Sequence, residues 1–236
     1  MPLSQIHVVG ELTTPRLLGP PHSVQHAQVQ CFGENIDGQA QSTMPGKFTY
    51  ISSGYLHTCG VTTDGDVKCF GWDEDGQAPA TTVASDGSGY TMVECGREHT
   101  CAVTSNGAVD CWGNNKEKQA PTAALAPVDT VSAYTDVTCG GTFTCALTSA
   151  GDIDCWGKLF GQKSRNPTTR KASVDDGPDD TVFAGSLSAG AKTVCALNNH
   201  GWLECWGGND EKQLPDVSGP DSPPPPPPTP RPTKPV

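Results

Sequence analysis

The sequence predicts an all-β fold built from an array of small antiparallel sheets. Three observations carry this. The stretch His99–Gly113 reads as a β-hairpin with a cysteine on each arm. Versions of that hairpin occur four times. The 236-residue chain also holds 27 glycines and 21 prolines, which suit many short strands and turns, while no segment shows the spacing of a long amphipathic helix.

In the hairpin, Cys101 and Cys111 are symmetric about Asn106, so folding there sets Val103 opposite Val109 and Cys101 opposite Cys111. Ser105-Asn106-Gly107 suits a three-residue loop, a type I turn followed by a left-handed residue where glycine has no Cβ penalty. A hydrogen-bonded Thr104/Ala108 pair makes the cysteine pair a non-hydrogen-bonded one. Such pairs bring side chains closest, as a disulfide needs. The same register recurs for Cys59/Cys69 with Val61/Val67, for Cys145/Cys155 with Leu147/Ile153, and for Cys195/Cys205 with Leu197/Leu203.

Each repeat opens with a leading strand and a glycine five before the first cysteine (Gly54, Gly96, Gly140, Gly190). It closes with an aromatic-Gly pair (Phe70-Gly71, Trp112-Gly113, Trp156-Gly157, Trp206-Gly207). A polar turn then leads to Gln77, Gln119 and Gln213, with Gln39 in an earlier, decayed repeat.

In chain order, residues 1–20 are unassigned, and repeats run over 21–217. The blades fall at about 21–46, 47–79, 88–121, 131–162 and 182–215, and a Pro-rich polyproline II tail occupies 218–236. Second-arm cysteines step by 38, 42, 44 and 50 residues (31 to 69, 69 to 111, 111 to 155, 155 to 205). Periods of that size built from short strands mean propellers or arrays. The first blade is a remnant, because Pro21 stands where a partner for Cys31 is expected; Cys31 is therefore unpaired. The 162–180 insertion, with Asp175-Asp176-Gly177-Pro178-Asp179-Asp180, reads as a long exposed loop.

A net charge of −11 and a pI near 4.8 argue against nucleic acid as a partner, which requires clustered Lys and Arg. Eleven cysteines at fixed spacing point to an oxidising compartment. Zinc is the weaker reading, since no Cys-x-x-Cys occurs. No stretch is apolar enough to span a membrane. Residues 1–20 contain no signal-peptide run, so either the true N-terminus lies upstream or the thiols stay reduced in a cytosol. The expected location is extracellular or at the cell surface, with cytoplasmic as the alternative.

Gly96-x-x-His99-Thr100-Cys101-Ala102-Val103 and Gly54-x-x-His57-Thr58-Cys59-Gly60-Val61, each followed by a turn glycine and an aromatic-Gly pair, resemble the regulator of chromosome condensation repeat. That superfamily also contains a secreted β-lactamase inhibitor. The Cys-Trp-Gly and Gln-x-Pro features (Gln77-Ala78-Pro79, Gln119-Ala120-Pro121, Gln213-Leu214-Pro215) look more like its cysteine-bearing extracellular, Crinkly-type branch. The resemblance covers about residues 28–215 and implies a β-propeller of small antiparallel blades. The family usually has seven blades; four full repeats plus a remnant lead us to expect an incomplete propeller whose open edge invites self-association, and a longer natural chain, a smaller closed ring or assembly of two chains would each complete it. Phe143 and Thr193 replace the histidine in the last two repeats.

His57 and His99 are expected as packed, hydrogen-bonded structural histidines, and the repeat tryptophans as inter-blade packing. Cys95 and Cys139 occupy equivalent places and read either as an extra disulfide across adjacent blades or as buried free thiols. Asp73-Glu74-Asp75-Gly76 lacks the ligand spacing of a calcium loop. Partner contact is expected from the variable loops after each aromatic-Gly, at Trp72, Asp73, Lys116, Leu159, Phe160 and Asp210. No catalytic motif, metal set or cofactor is indicated. The function expected is a non-catalytic extracellular propeller binding a protein or a cell-wall or surface ligand. The alternatives are inhibition of a secreted hydrolase and, further off, nucleotide exchange on a small GTPase with chromatin contact.

Overall fold

The computed structural model describes residues 31, 33–41, 46–126, 132–159, 168–170, 183–198 and 203–208. The described residues contain thirteen strands and no helix, arranged as four antiparallel sheets. Blade 1 is β1 (Phe48–Ser53), β2 (His57–Thr62) and β3 (Val67–Gly71). Blade 2 is β4 (Tyr90–Cys95), β5 (His99–Thr104) and β6 (Val109–Gly113). Blade 3 is β7 (Tyr134–Cys139), β8 (Phe143–Thr148), β9 (Ile153–Gly157) and β10 (Thr168–Arg170). Blade 4 is β11 (Phe183–Ala189), β12 (Thr193–Asn198) and β13 (Leu203–Gly207).

The hairpin register is the one that the spacing predicts. Cys101 pairs with Cys111 and Val103 with Val109, and the other three hairpins match. The four pairs Cys59–Cys69, Cys101–Cys111, Cys145–Cys155 and Cys195–Cys205 are disulfide-bonded, each with Cα atoms 4.1 Å apart. That is the close spacing of a non-hydrogen-bonded pair. The turn is also as expected. The Thr104 N–H donates to Ala108 O at 2.8 Å, the Gly107 N–H to Thr104 O at 2.9 Å, and Gly107 takes a φ of 78°.

The 162–180 segment departs from the loop expectation. Residues 168–170 form β10, paired antiparallel to β9 as a fourth strand of blade 3. Blades 1 and 2 carry a vestige of the same strand: Val67 exchanges both backbone hydrogen bonds with Thr82, and Val109 does so with Leu125. The rest of the insertion, residues 1–30 and the 218–236 tail lie outside the described residues.

The core sits between blades rather than within them. The Val61/Val67 pair of blade 1 is buried with Tyr90 and Val93 of blade 2. Val103/Val109 is buried with Tyr134 and Val137 of blade 3, and Leu147/Ile153 with Leu187 of blade 4. Each such side chain stabilises the stack by about 1.5–3 kcal/mol when fully buried. Leu197 and Leu203, the equivalent pair in blade 4, are 39% and 60% exposed, so among the described residues no further blade packs on this end of the row.

Candidate functional site

The turn joining the first two strands of each blade lies beside the start of the loop that follows its third strand. The backbone ties them: Trp72 N–H to Leu56 O at 2.9 Å, Asn114 N–H to Glu98 O at 2.8 Å, Lys158 N–H to Thr142 O at 2.7 Å and Gly208 N–H to Lys192 O at 2.9 Å. One end of blades 1 and 2 therefore presents two neighbouring, sequence-variable turns, opposite the glycine-bearing hairpin turns, and the same ties begin the loops that leave β9 and β13.

The described loops after the remnant repeat, blade 1 and blade 2 are held by side-chain-to-backbone hydrogen bonds. Ala78 N–H donates to Asp73 Oδ1 at 2.7 Å, Ala120 N–H to Asn115 Oδ1 at 2.9 Å and Ala40 N–H to Asn35 Oδ1 at 2.8 Å. The glutamines brace the same loops, with Gln77 Oε1 accepting from Asp75 N–H and Gln119 Oε1 from Glu117 N–H. Asp73 thus folds its own loop. Trp72 is half-buried and Lys116 exposed. Leu159 packs against the core between blades 3 and 4. Phe160 and Asp210 lie outside the described residues. Two side chains that the sequence reading passed over stand on the same end: Tyr55, 52% exposed, and Arg97, whose guanidinium lies 5.7 Å from the centre of the Tyr55 ring. Their signal was the variable pair inside Gly-x-x-His, Tyr55-Leu56 against Arg97-Glu98.

Behind this end run polar seams between blades. His57 Nε2 lies 2.8 Å from Thr100 Oγ1, and His99 Nε2 lies 2.9 Å from Thr144 Oγ1. Each hydroxyl spends its one proton on a glutamine carbonyl, Thr100 on Gln77 O (2.8 Å) and Thr144 on Gln119 O (2.9 Å), so the imidazole Nε2–H must donate. The same carbonyls accept the Trp112 and Trp156 indole N–H groups at 3.1 and 2.9 Å. Thr58 donates to Gln39 O at 2.9 Å, so the remnant repeat supplies the cap for blade 1. Both histidines are buried (1% and 0% exposed), and burial lowers them to about 4 (His57) and about 3 (His99). Between blades 3 and 4 the seam is apolar: Phe143 replaces the histidine, Val194 replaces the threonine, and both are buried in one cluster. Gly96 and Gly140 make room for these rings, since a Cβ there would sit 2.4 Å from His99 Cε1 or 2.1 Å from Phe143 Cε1.

On the leading strands, Glu94 accepts from Tyr50 Oη at 3.0 Å and from Ser52 Oγ at 3.2 Å. Burial raises its carboxyl to about 7. It ties β4 to β1. Asp136, also raised by burial, accepts from the Leu187 N–H at 2.7 Å and ties β7 to β11.

Two groups of potential metal ligands occur among the described residues. His57, Cys59 and Cys95 bring their ligand atoms within 4.8 Å of one another, as do His99, Cys101 and Cys139. Cys59 and Cys101 are committed to disulfides, which leaves one imidazole and one thiol per group, fewer than a zinc site uses. Cys95 and Cys139 are free and buried, as is Cys31. No described helix is long and apolar enough to cross a membrane.

The Regulator of chromosome condensation (RCC1) repeat matches residues 48–77, 93–119 and 134–158, the three blades that carry the Gly-x-x-[His/Phe]-Thr-Cys pattern. A search of curated proteins finds no match. Among solved structures the chain is similar to human WBSCR16, at TM-score 0.58 and 21% identity over 72% of this chain and 50% of that one. It is also similar to the ectodomain of the receptor kinase CR4 from Physcomitrella patens, at TM-score 0.53 and 23% identity over 76% and 43%. A third is Prp20p from Saccharomyces cerevisiae, described for its binding to Gsp1p and histones, at TM-score 0.55 and 16% identity over 70% and 46%. The chain spans half or less of each of these structures.

Proposed function

We propose that this chain, an RCC1-like β-propeller with a disulfide in every described blade, is a non-catalytic extracellular module that binds a protein or surface ligand through its turn-bearing end. One observation carries the reading: variable turns from adjacent blades converge on one end, on loops held by repeated side-chain-to-backbone hydrogen bonds. Loops held in this way lose less entropy on binding than unbraced ones, and Tyr55, Trp72 and Arg97 are the residue types that anchor interfaces. Four disulfides and an ectodomain neighbour support the extracellular placement. The open edge at Leu197 and Leu203 supports pairing with a second copy. Two copies would supply about as much propeller as one of the neighbours, which this chain half covers.

The test is capture from an extracellular fraction by immobilised protein, with and without residues 218–236. A Tyr55→Ala/Trp72→Ala/Arg97→Ala variant should lose the captured species, and Asp64→Ala, on the opposite turns, should keep it. Equal capture by parent and triple variant would place binding elsewhere.

A further inference from the structure

The two buried thiols stand in the same relation to the two preceding hairpins. Cys95, in β4 of blade 2, has its sulfur within 4.8 Å of Cys59 Sγ in β2 of blade 1; Cys139, in β7 of blade 3, has its sulfur within 4.8 Å of Cys101 Sγ in β5 of blade 2. Cys101 Sγ and Cys139 Sγ share one hydroxyl, lying 3.6 and 3.9 Å from Thr144 Oγ1; Cys59 Sγ lies 4.0 Å from Thr100 Oγ1, and the Cys95 thiol donates to Ser52 O at 3.5 Å. Cys95 and Cys139 themselves hold equivalent positions in adjacent blades, and both are free and buried. In each case the sulfur in reach belongs to the hairpin of the preceding blade.

We propose that Cys95 and Cys139 are resident exchange partners for the hairpin disulfides, converting a staple within one blade into a staple between two. The Cys95 thiolate attacks Cys59 Sγ. The Cys59–Cys69 bond breaks as the Cys59–Cys95 bond forms, and the electron pair leaves on Cys69 Sγ, which takes up the proton that Cys95 gave up. One thiol and one disulfide enter and one of each leaves, so no oxidant is consumed. Cys139 acts in the same way on Cys101–Cys111, releasing Cys111. The outcome ties blade 1 to blade 2 and blade 2 to blade 3. At the apolar seam Ala189 stands where the thiol would be, so Cys145–Cys155 has no such partner.

The closed seam restrains the reaction. Burial pushes the Cys95 thiol up to about 12 and raises Cys139 as well, and a protonated thiol is a poor nucleophile. Exchange therefore accompanies loosening of the blade interface.

The experiment incubates the whole protein in a mixed reduced and oxidised glutathione buffer with urea just below the unfolding midpoint. Free thiols are then alkylated in acid, and the peptides are mapped without reduction. The expected products are peptides joined through Cys59–Cys95 and Cys101–Cys139, with Cys69 and Cys111 alkylated and Cys145–Cys155 and Cys195–Cys205 unchanged. Recovery of the four hairpin pairs alone, with Cys95 and Cys139 alkylated, overturns the proposal. A Cys69→Ser variant in oxidised glutathione gives a second reading. Cys59 should then bond to Cys95, and this product should vanish in Cys69→Ser/Cys95→Ser; a glutathione adduct on Cys59 beside a free Cys95 counts against the proposal.

Discussion

Replacing Thr144 by valine tests the polar seam at its centre. The two side chains are nearly the same shape, so the change removes a hydroxyl and little else. His99, 0% exposed, then holds its Nε2–H with no acceptor and no water. A buried unsatisfied donor costs about 1–3 kcal/mol. The other partner, Gln119 O, keeps the Trp156 indole at 2.9 Å and adds little to the loss. Adding His99→Phe rebuilds the Phe143/Val194 pair that the next seam uses, and Gly96 offers this ring the space that Gly140 offers Phe143. The double variant should therefore regain most of what Thr144→Val loses, giving a coupling energy of about 1–3 kcal/mol in a double-mutant cycle. Urea unfolding followed by tryptophan fluorescence measures it. A Thr144→Val variant within about 0.5 kcal/mol of the parent, or a double variant no more stable than that single one, would refute the account of the seam.

Acid should destabilise the stack. The folded-state values of His57 and His99 lie below the ordinary 6.5, so the unfolded chain binds more protons, and stability falls as pH drops from about 6.5 toward 4 and 3. Each histidine contributes up to about 1.4 kcal/mol per pH unit. Glu94, raised to about 7, works the other way between about 7 and 4.5, as does Asp136 in its own range, so the steepest loss in melting temperature comes below about 4.5. Reduction of the disulfides should lower the melting temperature strongly. Closing each hairpin loop, a sequence separation of 10, contributes about 2–3 kcal/mol in the chain-entropy model, and a melt unaffected by reductant would deny the staples their role. Leu203→Glu should shift sedimentation toward monomer without lowering the melting temperature, because the side chain is already 60% exposed within one copy. A parent that sediments as a monomer at all concentrations would remove the paired arrangement.

The hairpins were legible because their determinants are local. The Val61/Val67 pair, the Cys59/Cys69 pair and Gly65 lie within one short stretch and fix each other's register. β10 was not legible, because the three residues of Thr168–Arg170, in a charged, proline-containing segment, carry no alternation of their own. The seams escaped for a different reason. His57, Thr100 and Gln77 O belong to neighbouring repeats and meet only in space. The sequence does hold a trace of them, offset by one repeat: the histidine is lost at Phe143 and its threonine partner one blade later, at Val194. Tyr90 and Asp110 leave a similar trace within a blade. Their hydrogen bond (2.9 Å) recurs as Tyr134 to Asp154 (2.8 Å), and blade 1 lacks both partners, with Phe48 and Lys68 in their places. On the turn-bearing end, the variable loops stood out in the sequence, while Tyr55 and Arg97 were missed because they sit inside the repeat's most regular motif.

The glutamine caps give the array a direction. Gln39 serves Thr58, Gln77 serves Thr100 and Gln119 serves Thr144, always from the earlier repeat to the later. As the chain leaves the ribosome, each new hairpin finds its carbonyl acceptor already synthesised and waiting. Assembly can therefore advance blade by blade from the amino-terminal side. By the same logic, removal of residues 31–41 strips blade 1 of the cap that seeds the series, whereas trimming after blade 4 takes away no cap that an earlier blade requires.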